Sequence, residues 1–359
     1  MRSVYNETPA RRPSYGANRL ETSPRHQAKD QIYLFDGEQL RAIDAGIGRP
    51  LRWAAWHPDG SWCLLVGNGG SAVRYHPSTT GGRLEPIETG TKRNLRGAAF
   101  SPDGGQALLV GNRGAVLLYD GASVRALPSP TSENLRRAAW RPAQAGSPGG
   151  DSALIVGNGG TVLRYQDGSL TPVPGDRAHT LRALAWRPDG AYALVGAYAS
   201  RWAGYPRPHA LYKCDGLYLQ ALLTSDEEDD FVAVDWHPER RREALIVGYA
   251  FDGAAGADAR ASNKLLTYDG AGFTSRAVEA SGSLLGAAWH PSGEYALLCG
   301  EGGALLRFDG ERVEQLTSGT RANLVGPFWR PNPAGDSRSA RSASLALLLR
   351  GPGERVYTV

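Results

Sequence analysis

The feature that most constrains this chain is an internal repeat. An aromatic residue followed two positions later by proline closes seven successive copies of one segment: "LRWAAWHPDG", "LRGAAFSPDG", "LRRAAWRPAQ", "LRALAWRPDG", "FVAVDWHPER", "LLGAAWHPSG" and "LVGPFWRPNP". The aromatics are Trp56, Phe100, Trp140, Trp186, Trp236, Trp289 and Trp329, spaced 40 to 53 residues apart. A period of this length marks a unit that cannot bury its apolar face alone and must stack on its neighbours to make a core. The long spacings reflect insertions into one unit rather than a second kind of unit.

Each copy continues in the same order, as the second shows: "LRGAAFSPDG", "QALLVGNRG", "AVLLYDG", then "VRALPSP". These read as four short strands. Pro-Asp-Gly or a relative ends the first, Asn-Arg-Gly or Asn-Gly-Gly separates the second from the third, and Asp-Gly follows the third at Tyr119, Tyr268 and Phe308. Gly, Asn and Asp supply the positive φ that tight hairpin turns demand, so the unit is a four-stranded antiparallel meander. The first strand is small, with Ala54, Ala55, Gly97, Ala98, Ala99, Gly286 and Ala287 before the aromatic. Strands that converge on a common axis have little room for side chains. The aromatic then fills the wider gap between neighbouring units.

Seven such units predict an all-β fold, a seven-bladed β-propeller of four-stranded antiparallel blades. The strand and turn pattern resembles the WD-repeat propeller superfamily, in "FSPDG" ending at Gly104, "VGNRG" ending at Gly114 and "VLLYD" ending at Asp120, and the match covers residues 31–359. The chain departs from that family in having no Gly-His before the inner strand and Tyr-Asp or Phe-Asp in place of Trp-Asp. The family's His/Asp structural tetrad is therefore not carried over.

Closure is expected from both termini. "QIYLFDG" and "EQLRAID" read as third and outermost strands without an inner pair, while Leu324 to Val359 supplies an inner pair followed by "ERVYTV". Residues 31–44 thus complete the last blade with 324–359. Either residues 31–37 or residues 354–359 take its third position. Residues 1–30 carry five arginines and one lysine against three acids, with no periodicity; they read as a disordered basic tail.

Composition narrows the function. The net charge of +4 comes from 40 basic and 36 acidic residues without clustering, so nucleic acid is not an expected partner. No apolar run approaches a membrane span, and no signal-like segment opens the chain, which makes the cytoplasm the default compartment. Cys63, Cys214 and Cys299 lack metal-ligand spacing and read as reduced core residues. No metal or cofactor is expected, because no His-rich set, paired carboxylates or nucleophile and base recur at matching positions. His57, His237 and His290 share one turn slot with Ser101, Arg141 and Arg187, a structural role.

Binding features gather on one loop face. The connection between second and third strands, four residues in most units, expands in the fourth to "AYASRWAGYPRPHA" and in the fifth to "YAFDGAAGADARASN". Tyr198, Arg201, Trp202, Tyr205 and Arg207 in the first of these loops are of types found at binding hot spots, and Phe251 of the second is grouped with them as a candidate contact; Asp229, in the acidic run "SDEEDD" beside them, belongs either to a solvated acidic loop or to one that pairs with Arg201, Arg207 or a basic partner. The loop either contacts a partner or ligand, or Trp202 and Tyr205 fold back to cover the channel mouth or pack on the blade. Arg52, Arg96, Arg136 and Arg182 follow Leu in four consecutive first strands and form an arc at that mouth, where Val232, Leu285 and Val325 stand in the other units. Such an arc suits a carboxylate, a phosphate or an acidic peptide, unless it serves to bond carbonyls or stack on aromatics. Asp235 stands where every other unit has Ala or Phe, and it reads as a backbone hydrogen-bond acceptor or a channel acid.

Together these point to a non-catalytic WD-repeat-like scaffold for protein–protein interaction. The alternative is a small anionic or carbohydrate ligand at the channel mouth, and after it a hydrolase or lyase built on Asp235.

Overall fold

A computed structural model of the chain describes residues 30–44, 46–78, 82–143, 152–176, 178–198, 209–224, 229–240, 242–250, 262–331 and 345–351. The structure is all-β: apart from short 3-10 turns, every regular element among the described residues is a strand. The second unit is typical. Leu95–Phe100, Ala107–Gly111, Val116–Tyr119 and Val124–Ala126 form one antiparallel sheet in sequence order, as the turn residues predict. First strands of the other units are Leu51–Trp56, Leu135–Trp140, Thr180–Trp186, Asp229–Trp236, Leu284–Trp289 and Leu324–Trp329.

Burial explains the composition of each strand. Second strands such as Cys63–Gly67, Ala107–Gly111 and Ala296–Gly300 are buried along their whole length, covered on both faces by neighbouring sheets, and so read as continuous apolar runs rather than alternating ones. Fourth strands, such as Arg83–Pro86 and Val313–Gln315, lie at the exposed edge and are polar. The core is correspondingly divided between units. Leu108, Val110 and Leu118 of the second meet Leu135, Trp140, Ile155 and Tyr165 of the third in one apolar layer.

The repeated aromatic also carries a polar tie between units. Trp140 Nε1 donates to the Ala99 carbonyl (3.0 Å), Trp186 to Ala139 (3.1 Å), Trp236 to Ala185 (3.0 Å) and Trp329 to Ala288 (3.1 Å). Trp56 Nε1 reaches the Phe328 carbonyl at 2.9 Å, tying the first unit to the seventh. Each first strand lies beside the next, and that of the seventh unit lies beside that of the first.

The final sheet is built from both ends of the chain, in the order Leu40–Asp44, Asp30–Phe35, Ala346–Arg350, Leu324–Trp329. Ile32 pairs with Leu349 and Phe35 with Ala346. The third position therefore belongs to the N-terminal segment, and residues 354–359 lie outside the described ones. Units four and five depart from the pattern. A single pairing between Tyr198 and Asp230 fuses them into one eight-stranded sheet. Among the described residues no helix is long and apolar enough to cross a membrane.

Candidate functional site

A defect repeated in the first strand builds the site. In the first unit Leu51 faces Gly67 and Trp53 faces Val66, so Arg52 is the extra residue of a β-bulge. The same slip occurs between Leu95 and Gly97, Leu135 and Arg137, and Leu181 and Ala183. Arg96, Arg136 and Arg182 are the residues it leaves out. A bulge twists the strand and re-aims the side chain it isolates. The facing glycine permits the close approach: a Cβ on Gly111 would stand 2.2 Å from the Asn94 carbonyl oxygen.

Re-aimed in this way, three of the arginines bind the turn that follows the second strand. Arg52 Nε donates to Asn68 Oδ1 at 2.8 Å, Arg136 Nε to Asn158 Oδ1 at 2.8 Å, and Arg96 Nε to Asn112 Oδ1. Each Asn opens a three-residue 3-10 turn. Those turns are fixed by glycine: Gly114 has φ +67°, and a Cβ there would lie 1.9 Å from the Thr131 carbonyl oxygen. In the fourth unit, register places Tyr198 where the third has Asn158, and the Arg182 guanidinium lies over the Tyr198 ring, 5.1 Å from its centroid.

A fifth guanidinium joins them. Arg137 projects from the third unit, with its Nη1 donating to the carbonyls of Arg136 (2.9 Å) and Arg96 (3.1 Å). Its guanidinium carbon sits 3.7 Å from the centroid of Trp53, a residue two units away. Trp53 in turn meets Phe328 of the seventh unit edge to face at 4.6 Å. Side chains from the first, third and seventh units therefore meet on the side their first strands share. Together Arg52, Arg96, Arg136, Arg137 and Arg182 form a cluster of guanidiniums beside Trp53 and Phe328, called the cup for the arc its arginines trace.

The electrostatics of the cup are one-sided. Burial lowers the proton affinity of Arg52. It lowers that of Arg96 too, with Arg52 and Arg182 adding to the effect. Arg136 is brought down to about 9, chiefly by burial and then by Arg182, Arg96 and Arg52. Burial pushes Arg137 well below the usual arginine range, again with Arg182, Arg136 and Arg96 contributing. No carboxylate stands among the groups that shift these four arginines. Among the described residues, no nitrogen of these arginines is both buried and without a partner.

The other candidates fall elsewhere. Arg201, Trp202, Tyr205, Arg207 and Phe251 lie outside the described residues. Asp229 is buried, 7 % exposed, with Lys264 Nζ 3.6 Å from its Oδ1. Asp235 Oδ2 accepts the Trp289 backbone N–H at 2.7 Å, the backbone role among the two read from sequence. His237 Nδ1 accepts the backbone N–H of Arg240 at 2.9 Å, and His290 Nδ1 that of Ser292 at 3.0 Å, both turn contacts. All three cysteines are buried thiols. Among the described residues no three His, Cys, Asp or Glu side chains gather to hold a metal ion.

Sequence reasoning found four arginines of the cup but missed Arg137 and the asparagines. One signal was available: "LRR" is the only copy with two successive arginines, and Asn68 and Asn112 follow their arginines by the same interval. No family model matches the chain, and a search of curated proteins finds no match either.

Proposed function

We propose that this chain is a seven-bladed β-propeller, WD-repeat-like in its blade, that acts by binding rather than by catalysis and anchors an anionic group in the arginine cup. The closed ring is supported by the order of neighbouring first strands and by the Trp56 and Arg330 bonds that link the first and seventh units, the latter from Arg330 Nε to the Gly60 carbonyl at 2.6 Å. The observation that carries the function is a cluster of arginines in which Arg52, Arg96 and Arg136 are each held by an asparagine and Arg137 lies over Trp53, with burial first and neighbouring arginines second lowering the proton affinity of Arg96, Arg136 and Arg137. An unmatched buried charge is costly, and a bound counter-charge removes that cost.

The experiment is a calorimetric titration of the protein with a panel of small anions at fixed ionic strength. It is repeated on Arg96→Gln/Arg136→Gln, with circular dichroism to confirm the fold. Saturable binding that the double variant loses supports the reading. Unchanged binding in the variant places the anion elsewhere, and no binding of any anion removes the cup as a site.

A scaffold role for proteins is the second reading, and Tyr198 favours it. This residue stands at the root of the fourth unit's long loop and against Arg182 of the cup, so a partner held by that loop would border the charged mouth. Trp202→Ala/Tyr205→Ala tests it: loss of a copurifying protein at unchanged melting temperature supports the scaffold, and retention of that protein removes these two residues from the interface.

A further inference from the structure

Resting on the reading of the cup as an anion site, we propose that its ligand group is a tetrahedral oxyanion, a phosphate or sulfate ester or the free ion, in preference to a carboxylate. The argument starts from what the Nε atoms do. On Arg52, Arg96 and Arg136 that nitrogen is already donated to an asparagine Oδ1. Each guanidinium is thereby held by its inner edge, and the Nη1/Nη2 edge is left to bind. A guanidinium fixed in this way is a preorganised two-donor fork, and little side-chain entropy remains to be lost on binding.

The number and arrangement of forks then select the ligand. Three come from three consecutive units, so they approach from three directions around the mouth. Arg137 comes from within, anchored by Nη1 to two carbonyls, and Arg182 from the fourth unit. A carboxylate is planar and offers two oxygens, which satisfies one fork fully or two in part. A tetrahedral oxyanion offers three or four oxygens pointing out of any single plane, and can meet forks arriving from several sides at once. Its second negative charge also offsets more of the five positive ones.

The aromatic residues of the cluster argue against a neutral ring as the occupant. A sugar or base would need an aromatic face on which to stack, and the Trp53 face is taken by the Arg137 guanidinium at 3.7 Å while Phe328 stands edge to face with Trp53. What approaches the Trp53 face therefore meets a cation. Phe100, Trp140 and Trp186 bury their rings between units and offer no alternative platform.

The test compares inorganic phosphate and sulfate with acetate and citrate by thermal shift, at ionic strength held constant with sodium chloride. At a hundredfold excess over Kd, phosphate is expected to raise the melting temperature by about 3 to 4 °C for a chain of this length. Acetate at the same concentration gives under a third of that shift. Arg137→Met keeps the aliphatic stem and removes the charge, and is expected to weaken phosphate binding at least tenfold. Asn112→Ala, which frees Arg96 to swing, gives a second reading through the clamp if the methionine variant does not fold.

Equal response to acetate or citrate and phosphate overturns the proposal and leaves the anion site standing. Unchanged phosphate affinity in folded Arg137→Met overturns it as well, as does unchanged affinity in Asn112→Ala where that variant must serve. Silence towards every anion overturns this proposal and the anion site together.

Discussion

Replacing Asp235 by asparagine separates the charge of this buried carboxyl from its shape. Asparagine keeps an oxygen that accepts the Trp289 N–H, as Asp235 Oδ2 does at 2.7 Å, and removes the ionisation. Burial pushes the Asp235 carboxyl from the ordinary 3.8 up to about 7, and hydrogen bonds from the Trp289 and Trp236 backbone only partly counter it. A raised acid pKa means the folded protein holds a proton that the unfolded chain has already released. The penalty is therefore absent below about pH 4, grows as pH rises, and is complete above about pH 7. The difference between the two values corresponds to about 4 kcal/mol. With an unfolding entropy near 2.1 cal/mol/K per residue, this equals about 5 °C in melting temperature. The assay is thermal unfolding of both proteins from about pH 4 to pH 8. The melting temperature of Asp235→Asn minus that of the wild type should rise by about 5 °C across this range, because other titrating groups are common to both. A gap that stays constant with pH refutes the reasoning, since it would mean the carboxylate is ionised in the folded state throughout.

Three further outcomes follow from the packing. Gly286→Ala would bring a Cβ to 1.7 Å from the Gly326 carbonyl oxygen, where two first strands touch; a loss at the upper end of the single-substitution range, about 4 kcal/mol, is expected in denaturant unfolding. Trp140 Nε1 bonds the Ala99 carbonyl, whereas Trp289 Nε1 is buried without a partner. Trp289→Phe should accordingly cost about 1 kcal/mol less than Trp140→Phe, and equal costs would contradict the role given to the inter-unit bond. Burial raises the thiol pKa of Cys63 well above its ordinary value, that of Cys214 to about 11 and that of Cys299 higher still. None should react with a thiol reagent at pH 8 in the native state, and all three should react once the chain is unfolded.

The repeat made most of the fold legible, because it reports two physical constraints at once. Positions that are small in every copy, such as Gly97 and Ala98, are those where first strands crowd, and the aromatics are those that fill the gaps between sheets. Turn chemistry located the hairpins, since Asn-Gly-Gly and Asp-Gly specify backbone conformations that few residues adopt. The third strand of the closing sheet was not decidable, because "QIYLFDG" and "ERVYTV" are equally strand-like and the choice rests on pairing with Ala346–Arg350. The cup was half visible. Arg52, Arg96, Arg136 and Arg182 stand out by position, but their direction depends on a bulge, and a bulge leaves no mark on hydrophobic alternation when the strand is only six residues long. Arg137 was hidden for the same reason. A straight strand would send adjacent residues to opposite faces, and only the bulge lets Arg136 and Arg137 serve one cup.

The same bulge answers whether the arginines are needed to make it. In the fifth unit the register slips between Phe231 and Ala233, and in the sixth between Leu284 and Gly286. The isolated residues there are Val232 and Leu285, neither of which bonds a turn through its side chain. The backbone feature therefore forms with aliphatic residues, and the first four units would have it without a guanidinium. What arginine adds at those four positions is charge, placed among like charges, and by itself this is unfavourable. The Asn68, Asn112 and Asn158 contacts return only a neutral-acceptor hydrogen bond each, smaller than the cost of holding several cations together in a half-buried space. A purely structural arginine would more economically be the leucine of the sixth unit. The imbalance is what the proposed anion would relieve, its binding converting the repulsion among the guanidiniums into attraction.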